Sequence, residues 1–465
     1  MAATGGRLWT LPERLPQTGA MDPLDNLPEA TVITGADLLE GYRRDESHVV
    51  GALPLAVVRP RGPGALRELV RLAKAEGLGL VPRGAGTGKA GGCTPMAGNV
   101  VVDMGDYPGA IQVSRPDLCL RAPASALLRD VKAAALALGL FYPPDPNSWE
   151  TCAFGGTLAT NAGGPSACKY GMTRNWVLAV EALMEDGELH RFGIPSVKGN
   201  TGPSLGQLLV GSEGIFGIIV AATVRLLPVP PRTLTLLLPV ERWHDLLDLP
   251  GQLAAAGYLP SAFEFWDPAV LRDLRAHGPE EARRLPGEAL ALLEFDDRDC
   301  ETEAFLEGLL AALGPLAEHL QSATDARQRE ALWAVRRMTS SHLKERYPDK
   351  VSEDIVVPRS RIREFFARLE PLGLPAVTYG HLGDGNLHVN LLQAGSTGPA
   401  ELERQLAAVF GICVDLDGAI SGEHGIGRAK RDAFLRFADP FQLESLRRIK
   451  RALDPQLIFN PGKVI

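Results

Sequence analysis

The stretch Val81-Pro-Arg-Gly-Ala-Gly-Thr-Gly-Lys-Ala-Gly-Gly-Cys-Thr94 decides how the rest of the chain is read. Its five glycines strip Cβ atoms from the loop, so backbone N–H groups can converge on one concavity and approach an anion closely. Leu78 and Leu80–Val81 ahead of it read as a short buried strand, and Arg83 stands where a phosphate needs a counter-charge. No helix-forming run and no Gly-Lys-Ser/Thr follows, so this is neither a dinucleotide fingerprint nor a P-loop. Alone, the loop reads equally well as a glycine-rich surface turn. Two further clusters shift the balance: Cys152-Ala-Phe-Gly-Gly-Thr-Leu-Ala-Thr-Asn-Ala-Gly-Gly164 and Gly211-Ser-Glu-Gly-Ile-Phe-Gly217. Three glycine-rich turns at strand ends within one segment suggest a large ligand wrapped by backbone.

Working outward, Leu53–Val58 reads as a strand and Ala65–Glu76 as a helix, with Leu66, Leu69, Val70 and Ala73 at helical spacing and Gly77 as its stop. With the strand Leu78–Val81 they form a βαβ unit that delivers the chain into the first glycine loop. Asn99–Met104 reads as a strand and Ala124–Leu138 as a helix closed by Gly139. Pro143, Pro144 and Pro146 make a rigid turn before the second cluster. Asp186-Gly187, between Val177–Met184 and Glu188–Phe192, is a hairpin signal. Pro228, Pro230 and Pro231 mark a domain boundary. Beyond it Thr233–Val240, Ser261–Trp266 and Ala289–Phe295 read as strands, and Trp243–Ala256 and Glu301–Leu313 as helices, the texture of a smaller α+β layer. Arg327–Arg346 is an arginine-rich helix, Asp354–Val357 a strand and Gln442–Ala452 a closing helix.

The totals exclude several classes. The 465 residues, 45% hydrophobic and 22% charged, are ordinary for a globular chain of two or three domains. A formal net charge of -8, without a Lys/Arg cluster, argues against nucleic acid. Six cysteines stand without a Cys-x-x-Cys pair, which suggests no zinc knuckle or iron–sulfur site and fits a reducing cytoplasm. Met1–Ala20 has no apolar core of the signal-peptide kind. The most apolar window, Leu205–Pro228, is interrupted by Glu213 and four glycines, so no transmembrane segment is expected. The expected location is cytoplasmic, or peripheral at the inner face of a membrane.

The second half carries a different chemistry, in Tyr379-Gly-His-Leu-Gly-Asp-Gly-Asn-Leu-His-Val-Asn390 and Ile420-Ser-Gly-Glu-His-Gly-Ile-Gly427. The Gly383-Asp384-Gly385 turn forbids a helix between His381 and His388 and can fold both imidazoles toward one point, as a metal site needs, with Glu423 as an oxygen ligand. Glu423 and His424 are neighbours whose side chains diverge, which leaves His424 for general-base work. A single histidine in a loop more often satisfies a hydrogen bond. Three of nine histidines in two glycine-tight turns beside a carboxylate reverse that weighting.

These residues resemble the FAD-linked oxidoreductases of the vanillyl-alcohol-oxidase/p-cresol-methylhydroxylase (PCMH) type, in the branch that holds D-lactate dehydrogenase, the D subunit of glycolate oxidase and D-2-hydroxyglutarate dehydrogenase. The likeness runs from Tyr42-x-x-Asp45-x-Ser47 to Asn460-Pro-Gly-Lys463. It passes through Pro82–Thr87, Asn161-Ala-Gly-Gly164, Lys169-Tyr-Gly-x-Thr-Arg174, Gly211–Gly214, His381–His388 and Ser421–Gly425. It implies an α+β fold, a two-part PCMH-type FAD-binding domain with an α+β cap built on an antiparallel sheet. The expected divisions are an N-terminal segment 1–48, the FAD-binding domain 49–228, a substrate or cap domain 229–420 and a C-terminal segment 421–465 that returns to the FAD domain.

By the same resemblance Arg83, Gly84, Ala85, Gly86 and Thr87 hold the FAD pyrophosphate. Pro144, Asp145, Ser148, Gly155, Gly156, Thr157 and Asn161 line the flavin side, and Gly217, Ile219 and Asn460 complete the site. No histidine or cysteine stands where family members attach flavin covalently, so FAD is expected to be noncovalent. His381, His388 and Glu423 are implied ligands of a divalent metal, zinc or manganese; His424 is the implied base. Arg336, in Trp333-x-x-Arg336, matches the arginine that grips the substrate carboxylate, with Arg337 as its rival.

The implied reaction oxidises a D-2-hydroxyacid anion to the 2-oxoacid by hydride transfer to flavin N5. Electrons would pass to a quinone, an electron-transfer protein or a partner subunit, in a homodimer or a glycolate-oxidase-like complex. Relatives acting on 2-hydroxyglutarate place a lysine two residues before the aspartate matching Asp354. Here that residue is Ser352, with Lys350 slightly displaced, which favours D-lactate or glycolate. The alternatives are D-2-hydroxyglutarate oxidation, a non-redox flavoenzyme of the alkyl-dihydroxyacetone-phosphate synthase type, a metallohydrolase using the histidines alone, and a scaffold subunit with a retained flavin fold.

Overall fold

Strands Ala56–Pro60, Asn99–Asp103 and Gly79–Arg83, rich in valine and largely buried, lie side by side in parallel, with Ala30–Ile33 antiparallel at one edge. The first of them begins at Ala56 rather than Leu53, and Pro54 has no N–H to give a ladder. Helix Pro63–Glu76 buries Leu66, Leu69, Val70 and Ala73 and stops at Gly77, which is left-handed at φ 68°. The computed structural model describes Leu24 and residues 26–280, 282–323, 325–393 and 398–465. Met1–Ala20, read above for targeting signals, lies outside the described residues.

A second sheet is antiparallel throughout, in the order Gln112–Ser114, Cys119–Pro123, Ile218–Arg225, Val177–Leu183, Leu189–Gly193. The last two form the hairpin expected around Asp186-Gly187. Two expectations need correction here. The helix read at Ala124–Leu138 spans only Leu128–Leu136, because the carbonyls of Ala124 and Ala126 accept from the N–H groups of Gly155 and Phe154 at 2.9 and 2.8 Å. The second glycine cluster is correspondingly not a turn but begins as a short helix, Phe154–Thr160. Gly155 permits this, since a Cβ there would stand 2.5 Å from the Cβ of Ala124.

The second half is organised by a seven-stranded antiparallel sheet. Its order is Gln321–Ser322, Leu234–Val240, Ala289–Phe295, Ala262–Trp266, Ala376–His381, Asn386–Leu391, Val351–Val356. The helix read at Trp243–Ala256 is broken into a 3-10 turn, Trp243–Leu246, and a helix Leu249–Ala255 that starts at Pro250's turn. Helix Ala326–Arg346 lies on the sheet, where Trp266 Nε1 donates to Thr339 Oγ1 at 2.8 Å. Among the described residues no helix is long and apolar enough to cross a membrane.

Several contacts join the halves. Lys169 Nζ reaches Asp296 and Asp297 at 2.6 and 2.7 Å, and Tyr170 donates to Asp296 at 2.6 Å. Lys344 meets Glu46 at 3.0 Å. The C-terminal tail returns to the first sheet, where Leu80 N–H donates to Ile458 and Asn460 N–H to Leu80 at 2.7 and 2.8 Å.

The turn between the two histidine strands depends on Gly385, at φ 79°, where a Cβ would run into the carbonyl oxygen of Val357. Gly385→Ala is therefore expected to cost roughly 1–3 kcal/mol. It should lower the thermal unfolding midpoint measured by circular dichroism, whereas Gly398→Ala, with open space at its Cβ, should not.

Candidate active site

The hairpin Ala376–His381/Asn386–Leu391 sets the first side chains. Tyr379 lies directly opposite His388 and His381 opposite Asn386. The two-residue period of a strand therefore puts Tyr379, His381 and His388 on one face. The imidazoles of His381 and His388 meet edge to face, with centroids 5.2 Å apart. Their Nε2 atoms are buried, have no hydrogen-bond partner among the described residues, and lie 3.6 and 3.8 Å from Glu423 Oε1. All three ligand atoms fall within 4.8 Å of one another. Ligands that each sit ~2.0–2.2 Å from one cation stand roughly 3–4 Å apart, so the set fits a divalent metal. Burial, then the charge of His381, pushes His388 well below its ordinary value and keeps it neutral. Burial would push Glu423 up, but His381 first, then His388 and His424 around it, hold it at about 2.

Two carboxylates that sequence reasoning missed position these groups. Glu264, in the strand Ala262–Trp266, lies opposite His381 in register. Its Oε1 is 2.5 Å from His381 Nδ1, and Oε2 accepts from Arg336 Nε. Asp354 accepts from the N–H groups of Gly422, Glu423 and His424 at 3.0, 2.7 and 2.9 Å, and from Lys430. It also faces His424 Nδ1 at 3.2 Å. Burial opposes its ionisation, yet His424 and Lys430 hold its carboxyl well below the usual range. For Glu264 a signal was available, since a single acid in the apolar strand Ala262–Trp266 needs buried donors, whereas Asp354 stands beside Glu353 and carries no such mark.

Arg336 is not a solvated helix charge. It is 1% exposed, stacks over the Tyr379 ring at 5.0 Å, and leaves Nη1 and Nη2 buried without partners among the described residues. Tyr379 in turn lies 5.3 Å, ring to ring, from His388. Arg337 instead lines the large cavity and pairs with Glu330.

That cavity, of about 630 Å³, runs from the first glycine loop to Glu423 and His424. Its size lies in the ~300–1,000 Å³ range of small-molecule and cofactor sites. Arg83, Gly84, Ala85, Gly86 and Thr87 line it, with Ser148, Gly155, Gly156, Thr157, Gly217 and Ile219. The N–H groups of Gly84, Ala85, Gly86 and Thr87 have no acceptor among the described residues, which suits a phosphate cradle. Gly86 is left-handed at φ 76°, and a Cβ there would strike the Arg83 guanidinium.

Four expected residues do not line the cavity. Pro144 and Asp145 stand behind it, and Asp145 accepts from Ser166 N–H and Oγ at 3.1 and 2.6 Å. Asn161, left-handed at φ 51°, accepts from Arg174 N–H at 2.8 Å. Asn460 donates to the carbonyls of Gly92 and Glu213 at 2.9 and 2.6 Å, tying the tail to two glycine clusters. Glu213 lines the wall unforeseen, bonded to Ile426 N–H at 2.7 Å, and burial pushes it up to about 7.

Comparison with known proteins agrees with this architecture. Residues 54–193 match the family described as FAD binding domain, and residues 229–464 match FAD linked oxidases, C-terminal domain. A D-lactate dehydrogenase of Archaeoglobus fulgidus is 33% identical over 92% of this chain and 96% of its own length. A D-2-hydroxyglutarate dehydrogenase of Xanthomonas citri pv. viticola is 32% identical over 92% of each. A solved alkyldihydroxyacetonephosphate synthase superposes with a TM-score of 0.68 at 16% identity, over 92% of this chain and 83% of its own, a likeness of fold alone.

Gly156 lines the cavity and has nothing within 4 Å of a built Cβ. Gly156→Val should therefore fold and yet fill cofactor space. Its apoprotein should keep the wild-type thermal midpoint and bind FAD at least about tenfold more weakly, read by flavin fluorescence titration.

Proposed function

This chain belongs to the FAD-linked oxidases, and we propose that it oxidises a D-2-hydroxyacid, D-lactate or glycolate, to the 2-oxoacid. The observation that carries the reading is the unpartnered pair Nη1 and Nη2 of buried Arg336, near a three-ligand cation set whose Glu423 lines a cofactor-sized cavity. A buried guanidinium with two free donors is costly unless an anion takes them, and a carboxylate matches that fork with two parallel bonds.

FAD, noncovalently held by the glycine walls, supplies a two-electron acceptor when bound, and a cation held by His381, His388 and Glu423 supplies Lewis acidity at the α-hydroxyl. Arg336 binds the substrate carboxylate and fixes the acid's orientation. His424 takes the hydroxyl proton on Nε2, since its Nδ1 faces Asp354. The negative Asp354 stabilises the imidazolium that this uptake creates. Gly163, without a side chain, lets the cavity wall approach Glu423, where a Cβ would stand 3.1 Å from its Oε2.

A second reading, D-2-hydroxyglutarate, draws on one observation. Lys350 Nζ bonds Ser352 Oγ and lies 2.8 Å from Asn390 Oδ1, so an ammonium stands beside the position where Ser352 replaces lysine. Comparing kcat/KM for D-lactate, glycolate and D-2-hydroxyglutarate decides between them.

The purified protein should be yellow and should bleach anaerobically with D-lactate or glycolate. A chelator should abolish turnover, and zinc or manganese should restore it. His424→Ala should keep its FAD and lose about 10²–10⁴-fold in kcat. Full activity in that variant overturns the base assignment, and a colourless chain that takes up no added FAD overturns the whole reading.

A further inference from the structure

The strand Ala262–Trp266 is buried at every position, and its middle residue is a glutamate. Glu264 has no exposed surface, and its oxygens go to different partners: Oε1 to His381 Nδ1, Oε2 to Arg336 Nε. The first contact follows from register, since Glu264 and His381 are directly opposed across an antiparallel pair. The second comes from helix Ala326–Arg346, which brings Arg336 down onto the carboxylate. On the far side of each partner the remaining donor and acceptor atoms, Arg336 Nη1 and Nη2 and His381 Nε2, are buried and unpartnered.

We propose that Glu264 is a positioning residue shared by two binding functions: it turns His381 Nε2 toward a divalent cation and aims the Nη pair of Arg336 at the substrate carboxylate, coupling the two affinities through one side chain. The inference rests on the roles given above to His381 and Arg336. A carboxylate on Nδ1 fixes the imidazole tautomer and strengthens the other nitrogen as a ligand. A carboxylate on Nε of a planar guanidinium fixes the plane in which the two Nη groups point. Because one carboxylate does both, a shift that improves one contact moves the anchor of the other, and such linkage is reciprocal. Glu264 touches neither the substrate nor the cation.

The test uses Glu264→Gln in the full-length chain, with three readouts: FAD per polypeptide by absorbance, zinc affinity by calorimetric titration with the metal alone, and D-lactate kinetics at saturating zinc. Glutamine keeps the size but presents an NH2 to one of the two donors. The expected result is unchanged FAD content, zinc binding weakened ten- to hundredfold, and KM for D-lactate raised at least tenfold with a smaller change in kcat. Glu264→Asp, which keeps the charge but is too short to reach both partners, should be intermediate in both and carries the test if the glutamine variant does not fold. Wild-type zinc affinity and KM in the variant overturn the shared role. So does a loss of both only in step with FAD content. A wild-type chain that takes up no zinc overturns the cation assignment itself, and that outcome is distinct from a Glu264→Gln chain that binds zinc as well as the wild type does.

Discussion

A carboxylate cut off from water stays charged only where protein donors replace the lost solvent, and Asp354 shows how much structure one such anion commands. It has no exposed surface, and it gathers three consecutive backbone N–H groups, the Ser421 hydroxyl, the Lys430 ammonium and the His424 ring. Consecutive amides aimed at one point force the 421–424 segment into a tight turn. In that turn Glu423 reaches the histidine hairpin and His424 turns Nδ1 to Asp354. The two side chains, expected to diverge, converge instead: His424 Nε2 lies 3.7 Å from Glu423 Oε1, and its ring 5.6 Å from that of His388. Lys430, itself buried, is balanced by Asp354 and by Glu353 at 3.0 Å. The geometry of the candidate site is therefore a by-product of neutralising one buried charge.

Close approach of the two halves depends on missing side chains. A Cβ on Gly163 would stand 3.1 Å from Glu423 Oε2, and one on Gly425 would stand 2.9 Å from Glu213. The glycines that open the cavity for a cofactor thus also let the two halves touch at the ligand set. Asn460 reinforces this by bonding the first and third glycine clusters at once. One contiguous space results, with the first glycine loop at one end and Glu423 and His424 at the other.

What was legible in the sequence was local. The first glycine loop and the His381/His388 turn are each short in sequence, and spacing alone suggested their geometry, whereas Glu423 and His424, expected to diverge, converge with His424 Nε2 3.7 Å from Glu423 Oε1. The partners of Glu264 and Asp354 were not legible, because they lie 117 and 70 residues away and are brought in by strand register and loop closure. The Ala124–Leu138 segment shows tertiary bonding overriding propensity, since its alanine carbonyls serve the neighbouring glycine helix instead of their own. Arg336 and Arg337 differ by one helical step, which buries the first and leaves the second 42% exposed on the cavity rim. Nothing in an arginine-rich helix announces which neighbour turns inward.

Charge balance ties these parts together on the proposed assignment. Arg336 and Glu264 cancel, Glu423 adds one negative charge, and a divalent cation held there leaves a single positive excess. A monoanionic hydroxyacid neutralises that excess, and a neutral alcohol would leave it uncompensated in a buried place. Around His424 the sign is opposite: Asp354 and Glu353 against Lys430 leave one negative charge. That surplus faces the ring that receives the hydroxyl proton on this assignment, so the proton moves from a balanced substrate site into a region of negative excess. The negative charge around His424 stabilises the imidazolium and favours ionisation of the alcohol.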